Sequence, residues 1–398
     1  MNSYSSWLPL SFSNLTIDQR LLLVRKAICL FLLIGMLLSF NLWKADRFFP
    51  LTPFVEGLNE SSTKLNYFLL TVLTLSLTAA IFSNRTIFIR IGVCVLIIIL
   101  LQDQQRWQPW VYCYFLLLLP FTISPRERQP ISALICAQIV LIGIYLWSGI
   151  HKFNSNFIDL TFTNILTNFF QIKNEKIINV IRYSGYLVPI IEVFIAVALT
   201  IPKLRTLGVL LVVSIHTFIL VYLSPLGVDD NSIVYPWNIA MILLAALLFF
   251  KQKNDVTSFI QGTIQMKLLS AVLIVLVLIL PLFNFASKWD SYLSFSLYSD
   301  KITLHYVAIE NTQIKKVDDR FHKYIVHIKG LSGGVIIDIN KWSTGELNVP
   351  FYPETRVFKD VCKSFCGFGI EPGKIYFLEF QQPLRKQIFQ RYTCDGLD

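Results

Sequence analysis

The sequence predicts a polytopic α-helical membrane protein of about nine transmembrane helices, followed by a β-rich α+β domain outside the membrane. Hydrophobic residues make up 54% of the 398 residues and charged residues only 15%, which is too apolar for an ordinary soluble protein. The apolar residues form continuous runs long enough to approach the thickness of a bilayer. From about Lys288 onward, short alternating segments separated by turn residues replace these runs. We therefore expect a membrane domain over 1–287 and a β-rich domain over 288–398.

Nine apolar runs are the candidate spans. Their continuous Leu, Ile, Val and Phe content favours helices over the alternating strands of a barrel. The polar stretch before the first run is too long and mixed for a cleavable signal peptide, so this run is predicted to be retained. The runs are Ala27–Trp43, Asn66–Ser83, Ile87–Leu101, Trp110–Ile123, Ile131–His151, Ile181–Ile201, Leu207–Leu223, Trp237–Phe250 and Leu268–Phe285.

Basic residues are concentrated in alternate loops, which predicts the topology. By the positive-inside rule this side is cytoplasmic, so the N-terminus lies inside and the C-terminal domain is exoplasmic, in a plasma or inner membrane. The net charge of +10 is scattered through these loops. We therefore expect these charges to set the membrane topology and not to form a nucleic-acid-binding surface. The expected partner of the helices is membrane lipid. The loop residues are Arg20, Arg25, Lys26, Arg85, Arg90, Arg126, Arg128, Lys203, Arg205, Lys251, Lys253 and Lys267.

Within the C-terminal domain, four segments have strand-like alternation or β-branched and aromatic content. A fifth segment, Glu354–Phe365, has the spacing of a short amphipathic helix. The predicted strands are Ser291–Ser299, Ile302–Ile309, Tyr324–Ile328 and Ile375–Phe380.

Three cysteines lie in the polar C-terminal region, at Cys362, Cys366 and Cys394. In an oxidising exoplasmic compartment, Cys394 is expected to pair with Cys362 or Cys366, leaving one thiol. Unpaired buried thiols are the alternative. A metal site is disfavoured and no metal is expected, because three cysteines without a following histidine are an incomplete ligand set.

Polar residues interrupt the fifth apolar run where the span would leave the hydrocarbon. The stretch Tyr145–Phe157 contains Gly149, His151, Lys152 and Asn154. An ionisable group at such a depth faces a bundle interior or a wet cavity more often than lipid. The alternative for Lys152 is an anchoring side chain that extends to the interface.

Two further ionisable groups lie in the next two spans, Glu192 and His216. A lone carboxylate among Ile190, Ile191, Val193 and Phe194 requires a partner, and Lys152 or His216 would supply it. One interpretation is a purely structural clasp. The other is a catalytic site with Lys152 as general base and Glu192 and His216 as auxiliary groups, since desolvation can make the neutral form of a lysine accessible.

Aromatic and polar residues near the same end of the spans suggest a ligand pocket. Trp107, Trp110 and Tyr145 would suit a flat lipophilic ligand such as a quinone, and His151 and Asn154 would orient its polar head. The alternative is that Trp and Tyr collect at the membrane interface regardless of any ligand.

These residues resemble a known family. Tyr145–Phe157, together with Phe48-Phe-Pro-Leu, Arg106–Tyr114 and an isolated His216, is similar to the pattern of vitamin K-dependent γ-carboxylases and their bacterial relatives, the HTTM-domain proteins. The spacing of Gly149, Lys152 and Glu192 is also similar to DoxX-like membrane proteins. The carboxylase resemblance implies that Lys152 deprotonates a quinol (vitamin K hydroquinone or menaquinol), with oxygenation or carboxylation of an exoplasmic peptide or protein to follow.

Two function classes follow from the sequence. The first is an integral membrane enzyme, a lyase or quinone-linked oxidoreductase, with Lys152 as its base. The second is a non-catalytic membrane anchor whose exoplasmic domain binds a partner protein. Transport is disfavoured, because the sequence lacks paired breaks near midspan.

Overall fold

The computed structural model describes residues 14–54, 63–124, 129–225, 227, 232–256, 262–326, 333–381 and 388–397. Within these residues, an α-helical bundle precedes a C-terminal sheet. The helices are α1 (Ile17–Leu38), α2 (Phe40–Trp43), α3 (Thr63–Phe82), α4 (Thr86–Leu101), α5 (Pro109–Leu118), α6 (Pro130–His151), α7 (Thr163–Phe169), α8 (Glu175–Ser184), α9 (Leu187–Thr200), α10 (Arg205–Leu223), α11 (Val234–Phe249), α12 (Ile264–Ile274), α13 (Ile339–Leu347) and α14 (Thr355–Cys366).

Six helical stretches of the described chain are long and apolar enough to cross a membrane, judged by length and composition. They are Ile17–Leu38, Thr63–Phe82, Pro130–His151, Glu175–Thr200, Arg205–Leu223 and Ile264–Ala286. Three shorter apolar helices, Thr86–Leu101, Pro109–Thr122 and Val234–Phe249, coincide with the remaining predicted runs. The polytopic helical class is therefore confirmed, whereas six helices rather than nine reach spanning length.

The first helix begins at Ile17, ten residues before the predicted start at Ala27. Thr16 caps it, accepting from the backbone N–H of Gln19. The prediction was wrong because Arg20 and Arg25 looked like loop charges. In the fold, Arg20 Nη1 donates to Leu247 O at 2.8 Å and Arg25 Nη2 donates to Ser83 O at 3.0 Å.

Other arginines at this end of the bundle also cap carbonyl groups. Arg90 Nε donates to Thr122 O at 2.7 Å, and Arg205 Nε donates to Leu199 O at 2.9 Å. Cations are favourable at the carbonyl ends of helices, where backbone acceptors lack partners. These four arginines therefore bond carbonyl groups near helix ends in addition to any role in topology. Arg126 and Arg128 lie outside the described residues.

The C-terminal domain contains a five-stranded antiparallel sheet of order β2-β3-β1-β4-β5. His305, Val307 and Ile309 on one face of β1 are buried. His305 lies 4.5 Å from Phe358 of α14 between ring centroids, so this face packs on the helices. The strands are β1 (Leu304–Glu310), β2 (Ile325–Val326), β3 (Gly334–Asp338), β4 (Ile375–Gln381) and β5 (Ile388–Tyr392).

Three predicted strands and the predicted helix have counterparts in β1, β2, β4 and α14. The predicted strand Ser291–Ser299 is wrong. This segment forms turns closed by local backbone bonds such as Ser296 N to Ser291 O, with Phe295 and Tyr298 at positive φ. The alternation does not mark a strand with one buried face, because Ser294 and Ser296 are buried as well as Phe295, whereas Tyr298 is 60% exposed.

The C-terminal domain packs on one end of the bundle through Gln105 in the loop before α5. The Gln105 amide donates to Ser343 Oγ at 2.8 Å and to Pro350 O at 2.9 Å, and it accepts from the backbone N–H of Tyr352 at 2.8 Å. The ring of Phe49 lies 4.5 Å from Trp342. The domain is therefore held to the bundle by buried, hydrogen-bonded contacts.

Candidate functional site

The candidate site is built where α6 ends beside α9. A side-chain carbon at Gly149 would lie 2.8 Å from Val193 Cγ2, 2.9 Å from Val193 N and 3.0 Å from Glu192 Cβ. Only glycine allows the two helices to approach this closely. The glycine therefore sets the distance between the end of α6 and the carboxylate on α9.

Lys152 and Glu192 form an ion pair at this crossing. Lys152 Nζ lies 2.9 Å from Glu192 Oε2 and 3.1 Å from Oε1, and it donates to Ser148 Oγ at 2.6 Å. Lys152 is 6% exposed and Glu192 is 8% exposed. An ammonium group has three donors, and the two carboxylate oxygens and the hydroxyl account for all of them. The buried charge of each group is thus compensated.

A second polar group lies deeper in the bundle. Tyr145 Oη lies 2.8 Å from His216 Nε2, and His216 Nδ1 lies 2.6 Å from Asn238 Oδ1. The Asn238 amide oxygen can only accept, so Nδ1 carries the proton and Nε2 accepts from Tyr145. Glu192 interacts electrostatically with both Tyr145 and His216. The fold thus brings Lys152, Glu192, Tyr145 and His216 together, and it adds Ser148 and Asn238, which sequence reasoning missed.

His151 and Asn154 point toward the C-terminal region instead. His151 stacks on Phe285 at 5.1 Å, and its Nδ1 lies 3.5 Å from Lys301 Nζ. The Asn154 amide donates to Ser299 O at 2.7 Å. Burial lowers the pKa of Lys301 to about 8. Lys301 was missed because no local pattern links it to a helix end 150 residues earlier.

Trp107 and Trp110 have separate roles in packing. Trp107 Nε1 donates to Leu100 O at 3.0 Å. Trp110 packs edge-on to Trp43, and its ring fills the space beside Gly35. Neither contacts the Lys152–Glu192 pair in the described hydrogen bonds and ring contacts. The third aromatic residue predicted for the pocket, Tyr145, interacts electrostatically with Glu192.

A titratable cluster lies outside the long apolar helices, where the C-terminal domain meets the bundle. Glu354 Oε1 accepts from Ser291 N at 2.7 Å, and Asp290 accepts from Tyr352 Oη at 2.6 Å and from Arg356 Nη1 at 2.8 Å. Burial, and then the neighbouring Asp290 carboxylate, raises the pKa of Glu354 to about 7. The contact region between the C-terminal domain and the bundle therefore contains a carboxyl group, Glu354, that titrates near neutral pH.

Of the three C-terminal cysteines, Cys366 and Cys394 form a disulfide and Cys362 is a buried thiol. Within the described part of the chain, no group of three or more His, Cys, Asp or Glu side chains is arranged to hold a metal ion.

One family model, described as "Methylamine utilisation protein MauE", matches residues 130–230. No curated protein and no solved structure matches the chain. The match contains α6 to α10, including the whole Lys152–Glu192–His216 region. The resemblance to HTTM-domain proteins and γ-carboxylases is therefore wrong. Gly149 and Lys152 are explained by helix packing and ion pairing, which do not require a carboxylase cofactor. The long apolar helices and the match agree that the chain is an integral membrane protein.

Proposed function

We propose that this chain is a non-catalytic accessory membrane protein, in which the bundle anchors the C-terminal domain and that domain binds a partner protein at the exoplasmic surface. The observation that carries the proposal is the three-way hydrogen bonding of Gln105 to Ser343, Pro350 and Tyr352. Buried polar contacts of this kind fix one relative orientation of two units. A domain held in a fixed orientation presents its free surfaces at a defined place above the membrane.

The Lys152–Glu192 pair supports the same proposal. All three ammonium donors of Lys152 are directed at Glu192 and Ser148. A general base must offer a lone pair to a substrate proton, and this arrangement instead satisfies a protonated lysine. Glu192 is equally compensated. We therefore assign the pair a structural role, joining the end of α6 to α9.

The sheet face opposite α14 is the surface we assign to the partner. Tyr306 and Leu378 are directly paired across β1 and β4, and Phe380 lies 5.8 Å from the Tyr306 ring. All three are partly exposed. Apolar and aromatic side chains gathered on an accessible surface are typical of protein interaction sites.

A double variant tests this assignment. Tyr306→Glu with Leu378→Glu places two carboxylates on the sheet face, and Lys315→Glu places one at an exposed position outside the sheet. We expect the double variant to lose complementation of a deletion strain, while Lys315→Glu retains it at equal membrane abundance. Retention by the double variant would contradict the assignment. The description of the matching family makes growth on methylamine the first condition to test.

A second candidate function rests on the buried Tyr145–His216–Asn238 chain beside Glu192. Histidine and carboxylate groups inside a membrane are frequent proton relays, and a lipophilic quinol is the substrate class that we would assign to such a relay. Under this candidate, purified protein would take a proton from an added menaquinol and shift its ultraviolet spectrum toward that of the quinolate, with no change of oxidation state, and Lys152→Met or His216→Phe would abolish the shift. An unchanged spectrum across several quinols would rule it out.

A further inference from the structure

The segment between α6 and α9 forms a helical hairpin at the end of the bundle where Lys152 lies. It comprises the π-helical turn Phe157–Phe162, α7 and α8. At the far end of α7, the Phe169 ring lies 5.8 Å from Tyr222, the second-last residue of α10. At the near end, a side-chain carbon on Gly185 would meet Phe162 Cδ1 at 2.9 Å. Both ends of the hairpin thus lie beside the ends of spans, so it runs across the bundle rather than along it.

Helix α8 has three distinct sides. At about 100° per residue, Glu175, Asn179 and Arg182 share one side, and Arg182 Nε lies 3.2 Å from Asp159 Oδ1. Ile178 and Ile181, on a second side, are half-buried. The third side is mostly apolar and lies roughly opposite the polar one. The exposed Lys176 lies at its edge near Tyr183, where a long lysine stem can extend to the interface.

This third side is unusually exposed for apolar residues. Ile177 is 49% exposed, Val180 68% and Tyr183 75%. Such a surface is unfavourable in water. It is also continuous with the exposed face of α9, where Leu187 is 55% exposed and Ile190 50%. Helix α9 is the apolar part of the stretch Glu175–Thr200, which is long and apolar enough to span a membrane, so lipid is the occupant of its exposed face. The stretch is interrupted between Ser184 and Leu187, and α8 can turn away from the α9 axis there.

We propose that α8 lies in the plane of the membrane, with Ile177, Val180 and Tyr183 in the lipid and Glu175, Asn179 and Arg182 toward water. The opposition of the polar and apolar sides is the pattern of helices that lie in the interface. A straight continuation of the α9 axis would instead carry the first turn of α8, with Ile177, beyond the hydrocarbon core of about 30 Å and leave apolar side chains in water. The partner of this surface is the acyl region of the bilayer, beside the segment whose Phe157 ring lies 5.9 Å from Lys152 Nζ.

Fluorescence quenching in phosphatidylcholine vesicles tests the proposal. Full-length protein with Cys94→Ser receives a single cysteine at Val180 or, as the matched control on the polar side, at Asn179. Each variant is labelled with an environment-sensitive maleimide and quenched by a nitroxide-labelled phospholipid or by aqueous iodide. The native Cys94, exposed on the apolar helix α4, is the lipid reference. Only variants with the unfolding temperature of the parent are compared.

We expect the Val180 label to be quenched by the lipid nitroxide about as strongly as the Cys94 label and to be protected from iodide. The Asn179 label should show several-fold stronger iodide quenching and weaker lipid quenching. Iodide quenching of both α8 labels would overturn the proposal, because the hairpin would then be in water. Protection of the Val180 label from both quenchers would also overturn it, since protein would cover the surface.

Discussion

Lys152 and Glu192 meet inside the bundle with Nζ within 3.1 Å of both carboxylate oxygens. The two residues are 40 positions apart, and the contact joins the end of α6 to the middle of α9. A buried pair of this kind contributes little net stability relative to apolar residues, but removing one partner leaves an uncompensated buried charge. This asymmetry makes the role of the pair testable.

Lys152→Met should destabilise the protein by roughly 3–5 kcal/mol, because Glu192 would remain buried without its cation. Adding Glu192→Leu should restore most of this loss. Thermal unfolding of the purified variants in one detergent measures both effects. A double variant as unstable as Lys152→Met alone would contradict the structural role, and so would a single variant that loses function without losing stability.

Gly149→Ala should cost about 1–3 kcal/mol, because the added methyl group would lie 2.8–3.0 Å from atoms of Val193 and Glu192. Gly92→Ala is the matched control. Its added carbon would lie 3.6 Å or more from Leu77 and Ser76, which is ordinary contact, so we expect no loss. Thermal unfolding distinguishes the two. Equal stability of both variants would show that α6 and α9 tolerate a wider separation than the fold indicates.

The raised pKa of Glu354 predicts a pH dependence of stability. Between its ordinary value of 4.5 and about 7, the folded state holds a proton that the unfolded state has released. Stability should therefore fall as pH rises through this window, by at most roughly 3 kcal/mol, and level off above it. The unfolding temperatures of wild type and of Glu354→Gln are measured from pH 4.5 to 8. The difference between them at each pH isolates the contribution of Glu354 to stability. A difference that does not change with pH would contradict the prediction.

The Cys366–Cys394 disulfide closes a loop of 28 residues. In the chain-entropy model this stabilises the fold by roughly 3–4 kcal/mol. Cys394→Ser should therefore lower the unfolding temperature under non-reducing conditions, and Cys94→Ser should not. A maleimide gel shift counts the reactive thiols of denatured wild-type protein. The unreduced protein should have two fewer reactive thiols than the reduced protein, because Cys366 and Cys394 are bonded to each other. No difference between the two would show that the bond is absent from the mature protein.

Sequence reasoning located the helices because apolar runs must be helical to satisfy backbone groups in lipid. It also predicted that Glu192 has Lys152 or His216 as its partner, because a buried carboxylate requires one. It did not find the start of α1, since Arg20 caps carbonyls of a helix more than 200 residues away. It also did not predict that the His151 side chain faces Lys301, because only the tertiary fold brings these two residues together.

In the C-terminal domain, too, sequence patterns predicted some elements correctly and one wrongly. Helix α14 was predictable from the spacing of its apolar residues. The alternating residues of Ser291–Ser299 lie between the bundle and the sheet and form turns instead of a strand. Alternation in a sequence is typical of a strand with one buried face, but here Ser294, Phe295 and Ser296 are all buried. Alternation does not report whether the backbone is extended or turned.

We propose that the bundle anchors the C-terminal domain and that the Lys152–Glu192 pair is structural. The most direct measurement is complementation of a chromosomal deletion by the double variant Lys152→Met with Glu192→Leu, with membrane abundance measured in the same cells. We predict complementation equal to wild type at equal abundance. Loss of complementation at wild-type abundance would contradict the claim and would assign the chemistry to the pair.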